Sequence, residues 1–217
     1  RMKMLGELHC LYGIGGLARL VFRAIGSKVL AIMPARRRAA RFHSVAQICR
    51  AFSIPHKFIG NPNKDEYRSE IATLAPDLLV SVACPYILKE KFLELPPLGC
   101  INVHHAPLPR YKGMMPTFWQ MYHGEKEVGV TIHYMAARVD EGEALLQKQL
   151  PIREGESLDS LIRRTKRHAA RCMLDVLRQI AAQTQKTLSL KDRPGSYFTF
   201  PTYTEMKEFR RRGFRAI

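Results

Sequence analysis

The chain has 217 residues, 46% of them apolar, and its 35 Lys and Arg against 19 Asp and Glu give a formal charge of +16. That composition supports a sizeable core in one α/β domain, and no apolar run approaches the roughly 20 residues of a membrane span. Residues 1–7 lack the apolar stretch of a secretory signal, so cytoplasmic residence is expected. Cys10, Cys49, Cys84, Cys100 and Cys172 are scattered without a CxxC, which speaks against a disulfide framework and a structural zinc site.

In chain order, residues 7–12 read as a weak first strand feeding the turn Gly13-Ile14-Gly15-Gly16. Leu17, Leu20, Val21 and Ala24 recur at helical spacing, which predicts a helix over 16–25 ending at Gly26. The apolar run 28–33 then reads as a buried strand. Residues 44–52 are a short helix, 57–59 a small strand, and 64–74 a helix that stops before Pro76, since proline disfavours helical geometry in its predecessor. The run 78–83 is the strongest buried strand. A helix over 89–95, a strand over 100–104, a helix over 116–122 and strands over 128–135 and 144–150 follow. Residues 157–182 form a long helix with Ser157 as N-cap and an apolar stripe of Leu158, Leu161, Ile162, Ala169, Met173, Val176 and Ile180. The alternation predicts a doubly wound α/β sheet over a single domain, 1–217, with a helix and tail over 157–217. Ligands of such sheets sit at the carboxyl ends of strands.

Three features there carry chemistry. The strand 100–104 puts Asn102 and His104 on one face, because side chains alternate, and breaks into Ala106-Pro107-Leu108-Pro109-Arg110-Tyr111-Lys112-Gly113. An amide beside an imidazole is a polar cluster suited to a site, and equally a satisfied buried histidine. Asp140, two residues before Gly142, reads as a turn residue or as a carboxylate that orients and charges a histidine. Residues 83–88 form an apolar loop that either walls a pocket for a flat ring or packs a strand against the next helix.

Together these residues resemble the folate-dependent formyltransferase family of glycinamide ribonucleotide, methionyl-tRNA and sugar-amine N-formyltransferases. The matching signature is Asn102-x-His104, then Leu108-Pro109 through Lys112-Gly113, then Asp140-x-Gly142, in that order and separation. The strand Gly129-Val130-Thr131-Ile132-His133 and the tail from Gly195-Ser196-Tyr197 to Pro201-Thr202 are also similar. Ala106 stands where many members have serine, and His105 is uncommon there. The resemblance implies a Rossmann-like formyltransferase fold with a mostly parallel central sheet flanked by helices. It implies N10-formyltetrahydrofolate as cofactor and no metal. Asn102, His104 and Asp140 are then the catalytic residues. Tyr86, Ile87, Leu88, Phe92, Leu93, Gly113, Met135 and Val139 are then the residues toward the folate.

The acceptor follows from the charge. Arg36, Arg37, Arg38 and Arg41 form one basic group, Arg163 to Arg171 a second and Arg210 to Arg215 a third. Such a field attracts phosphates or nucleic acid, and a solvated basic surface accounts for it as well. About 65 residues follow Ile152, fewer than the family's separate tRNA-binding domain needs. A nucleotide-linked amino sugar is therefore the expected anionic acceptor, with Arg36, Arg37, Arg38 and Arg110 toward its phosphates. Methionyl-tRNA or glycinamide ribonucleotide is the alternative, and a nucleotide- or RNA-binding protein with a retired site the remote one.

Overall fold

A computed structural model describes residues 2–34 and 41–217. The chain divides into two compact units, Arg1–Gly60 and Asn61–Ile217.

In the first unit, α1 (Met2–Ile32) consists of two helical stretches meeting at Gly13, whose φ of 66° only glycine adopts without strain. This corrects three expectations: residues 7–12 and 28–32 are helical rather than strands, and the helix over 16–25 runs through Gly26. The run at 28–33 mixes good helix formers, Lys28, Leu30, Ala31 and Met33, with β-branched Val29 and Ile32, and a short apolar run does not by itself distinguish a strand from a helix. One interior glycine costs a helix only about 1 kcal/mol. The expected burial also fails, since Val29 and Ile32 are exposed. Helix α2 (Val45–Ala51) is capped by Ser44, whose Oγ accepts from Gln47 N. Gln47 donates its amide to the carbonyls of Leu30 and Met33, tying α2 to the end of α1. The segment 57–59 is not part of a strand, contrary to expectation.

The second unit holds α3 (Asp65–Thr73), β1 (Leu79–Ser81), α4 (Glu90–Leu93), β2 (Cys100–His104), β3 (Lys112–Gly113), α5 (Pro116–Tyr122), β4 (Glu127–Tyr134), β5 (Ala144–Pro151), α6 (Leu158–Ala181), β6 (Tyr197–Phe198) and α7 (Tyr203–Arg211). Four strands form a sheet in the order β1-β2-β4-β5, and β3 pairs with β6. The α/β class is as expected, but the sheet is mixed: β1–β2 is parallel, whereas β2–β4 and β4–β5 are antiparallel. The link from β4 to β5 is too short for the crossover that a parallel pair requires. Strand β1 is shorter than expected and half-exposed, with Val80 42% accessible, as befits an edge.

The core lies between the sheet and α6. Ile101, Val130, Ile132 and Leu145 meet Ala169, Cys172, Met173, Val176 and Ile180. The stripe read from the sequence is the buried face of α6, apart from Ile162, which is half-buried. Ser157 caps the helix through Ser160 N, and the carbonyls of Arg215 and Ala216 take the free N–H groups of Leu158 and Asp159. A second, aromatic cluster fixes the C-terminal segment. Phe118 stacks on Phe209 at 4.8 Å, Trp119 stacks on Phe198 at 4.7 Å, and Trp119 Nε1 donates to Thr199 O at 3.0 Å.

Arg164 joins the end of β5 to the start of α6. Its Nε donates to Glu156 Oε1 at 2.9 Å and its Nη2 to Pro151 O at 2.6 Å. Burial is the largest single influence and alone would raise the Glu156 pKa, but the hydrogen bonds and charge of Arg164, the Arg153 N–H and the Ser160 hydroxyl together outweigh it and hold the carboxyl below its ordinary value of 4.5. A depressed carboxyl pKa contributes stability that is present above the unfolded value and lost as pH falls through the folded one. Glu156→Gln should therefore cost about 1.5–3 kcal/mol at pH 7, the range for hydrogen bonds to charged groups. The gap should close below pH 4.5. Urea unfolding of both proteins at pH 7 and pH 3 checks this, and an equal gap at both would show that the ion pair is not responsible.

Candidate active site

Asn102 and His104 project from the carboxyl end of β2, on the face opposite the Ile101 side chain that packs toward α6. Register sets Asn102 against His133 and His104 against Thr131 of β4. Asp140 arrives from the β4–β5 connection in left-handed backbone geometry, φ 56°, which aspartate tolerates better than most residues. Gly142 makes this possible: a Cβ there would lie 1.8 Å from Tyr134 O. The glycine lets the loop fold back onto the end of β4 and aim Asp140 at the histidines.

The resulting cluster is buried and mutually bonded. His104 Nδ1 lies 3.4 Å from Asp140 Oδ2, with both side chains 8% exposed. His104 Nε2 is 2.8 Å from Tyr111 O. A carbonyl only accepts, so Nε2 carries a proton and Nδ1 is the nitrogen left to work. Asp140 Oδ2 also accepts from Gly113 N at 3.0 Å, and beside it Lys112 Nζ donates to Glu141 Oε1 at 2.8 Å. These two adjacent contacts hold the Asp140 loop against β3. Gly113 is compelled as well, at φ +92° with the Phe198 carbonyl 2.3 Å from where a Cβ would stand. The Leu108–Pro109 peptide is cis.

A cavity of about 480 Å³ opens over the cluster. It is lined by Asn102, His104 and Asp140, and by Tyr86, Ile87, Leu88, Gly113, Met135 and Val139 of the residues expected toward a cofactor. Phe92 and Leu93 are not among its lining; Phe92 is a core residue of the short α4, turned into the protein. Arg110 is likewise absent from the lining, its guanidinium paired with Glu125 and resting near the Tyr111 ring. Arg36, Arg37 and Arg38 lie outside the described residues. Ile87 is 67% exposed on the rim, an apolar side chain waiting for a cover. His105 is held neutral, its pKa pushed down to about 4 by burial and by His104 and Lys166. Among the described residues no group of His, Cys, Asp and Glu is arranged to hold a metal. No described helix is long and apolar enough to cross a membrane.

His133 was not singled out by sequence reasoning. It lines the cavity and is 1% exposed, with Nδ1 2.7 Å from Tyr134 O and Nε2 3.3 Å from Asn102 Nδ2. The signal that would have found it is cross-strand: it sits opposite Asn102, a pairing that needs the register and not the sequence alone.

A model of the formyl transferase family matches residues 30–177. The chain belongs to the formyl transferase family. A methionyl-tRNA formyltransferase of Syntrophus aciditrophicus is 40% identical over 57% of this chain and 40% of the relative. Another from Thermosynechococcus vestitus is 36% identical over 68% of this chain and 46% of the relative. The chain thus spans less than half the length of these curated relatives. Among solved structures, a sugar N-formyltransferase from a Shewanella species superposes with a TM-score of 0.57 at 25% identity, over 65% of this chain and 55% of that one. The Asp140 loop depends on the absence of a side chain at Gly142. Gly142→Ala should leave the secondary structure in place by circular dichroism. The backbone shift it forces should cost more than about 2 kcal/mol and lower the melting temperature by roughly 4 °C or more. An unchanged melting temperature would mean that the loop has room that the 1.8 Å approach denies.

Proposed function

We propose that the chain transfers a formyl group from N10-formyltetrahydrofolate to a primary amine. The observation that carries this reading is the convergence of Asn102, His104 and Asp140 at one end of an apolar-walled cavity. The cavity suits the cofactor: Tyr86, Ile87 and Leu88 offer an apolar wall for a flat pterin, and the backbone of 135–139 offers polar groups. When bound, the folate supplies the electrophilic formyl carbon on N10, with that nitrogen as leaving group. Asn102 Nδ2–H donates to the negative charge that develops on the formyl oxygen, and so does His104 through Nδ1–H once the ring, already protonated at Nε2, is the imidazolium. Removing one such donor costs about 10²–10³ in rate. Asp140 orients His104 Nδ1 and accepts, directly or through water, the proton that the attacking amine gives up, and that proton passes on to the departing N10 nitrogen.

A nucleotide-linked amino sugar is the first acceptor. The likeness to the Shewanella sugar N-formyltransferase and the charge of +16 support it. Methionyl-tRNA is the second reading. It is supported by 40% identity to a methionyl-tRNA enzyme and by the apolar lining from Met114, Met115, Pro116 and Phe200, which suits a methionyl side chain better than a sugar.

Release of tetrahydrofolate, followed by absorbance with each acceptor in turn, tests the proposal. His104→Ala and Asp140→Ala should lower turnover by orders of magnitude, and Asn102→Ala by about 10²-fold. Near-normal turnover in any of them would remove that residue from the mechanism. Folate should also bind Ile87→Asp more weakly, because the variant places a charge in an apolar slot. A titration with unchanged affinity would move the pterin elsewhere.

A further inference from the structure

Asn102 can serve as a donor to the formyl oxygen only if its amide is turned the right way. A carboxamide presents NH2 on one side and a carbonyl on the other, and a half-turn about its last bond exchanges them. Reversed, Asn102 would present Oδ1 where Nδ2 now stands, and its carbonyl would repel the negative oxygen it is meant to hold. The cavity is largely apolar and offers Asn102 little else to decide the matter.

His133 decides it through a chain of two hydrogen bonds. Tyr134 O, 2.7 Å from His133 Nδ1, can only accept, so Nδ1 carries the proton. In the neutral ring Nε2 is then a bare acceptor. Asn102 lies 3.3 Å from it through Nδ2 and donates. The reversed amide would set two acceptors face to face at that distance. Asp140 Oδ1, at 3.7 Å from the same Nε2, is a third acceptor beside them and gives the reversed carbonyl no donor. The imidazole is 1% exposed, and its position is fixed by the β2–β4 register that pairs the two residues. Burial, aided by the neighbouring His104, holds the His133 pKa below the ordinary value of 6.5 against the opposing pulls of Tyr134 O and Asp140.

We propose that His133 is a positioning residue: locked as its Nδ1–H tautomer by the Tyr134 carbonyl, it fixes the Asn102 amide with Nδ2 held by Nε2, leaving the second Nδ2 hydrogen for the formyl oxygen. This rests on the reading of Asn102 as donor to that oxygen. His133 touches neither substrate nor cofactor in this role, so its effect must pass through Asn102.

Two measurements test it. The first is a double-mutant cycle in kcat. His133→Phe keeps a ring of similar size but removes the acceptor, and should lower kcat by roughly 10-fold or more with the folate KM within about 2-fold. His133→Gln restores an acceptor and should recover a good part of the loss. In the Asn102→Ala background His133→Phe should change kcat by less than about 2-fold, because residues acting through one another are non-additive. Full additivity, or an unchanged kcat in the single variant, overturns the proposal. The second is 15N NMR of the histidine rings in the unmodified protein at pH 7, which needs no acceptor and no turnover. His133 should be protonated at Nδ1 and bare at Nε2. An Nε2–H tautomer or an imidazolium overturns the proposal even in an active enzyme. The expected tautomer in a protein that transfers no formyl group would instead count against the proposed activity and leave the hydrogen-bond lock in place.

Discussion

Antiparallel pairing of β2 with β4 sets Asn102 opposite His133 and His104 opposite Thr131. Because side chains alternate across a sheet, the same register turns Ile101 and Val103 toward α6. A slip of one residue would bury the amide and the imidazole in the core and bring two aliphatic side chains into the cavity. The apolar face is the stronger anchor. Ile101, Val130 and Ile132 are fully buried, so the packing that stabilises the domain also fixes the polar cluster on the reverse side. The site needs little stabilising energy of its own to hold its geometry.

What the sheet does not supply comes from backbone that only certain residues can adopt. Asp140 sits at positive φ, and Gly142 and Gly113 each stand where a Cβ would strike a carbonyl. His104 is restrained from one side by Tyr111 O and from the other by Asp140, which is itself held by Gly113 N. Thr131 Oγ1 donates to Ala106 O and accepts from Leu108 N, pinning the start of the loop that Tyr111 ends. The segment 104–113 is thus fixed at several points along its length without regular structure beyond β3.

The parts of this architecture legible in the sequence are those whose cause is local. The stripe of α6, its Ser157 cap, the strand at 100–104 and the helix opened by Pro116 all appear where side-chain pattern and capping chemistry put them. The Asn102, His104 and Asp140 constellation was legible through motif spacing, and the loop at 86–88 through its unexpected apolarity. Most of what escaped depends on distant partners. The strands 112–113 and 197–198 exist only because they pair with each other. The mixed order of the sheet is a matter of topology, and His133 matters through the residue across from it. The start of the chain was misread because an apolar run such as 28–33 carries no mark of whether it will be buried. Helix α7 escaped although its capping box, Thr202 with Glu205, is present in the sequence.

The support for the 105–113 loop also comes from far along the chain. Tyr111 N donates to Ser196 Oγ across 85 positions, Lys112 N donates to Ser196 O, and Met114 N donates to Phe198 O. A ribosome adding 5–20 residues per second takes on the order of 10 s to deliver residues 195–198 after Tyr111. By the later part of that interval β2, β4 and β5 have all been synthesised, but the loop that braces His104 still lacks its backing. A nascent chain of this design therefore carries its sheet before it carries the finished cavity, whose shape waits until translation has passed the last element that supports it.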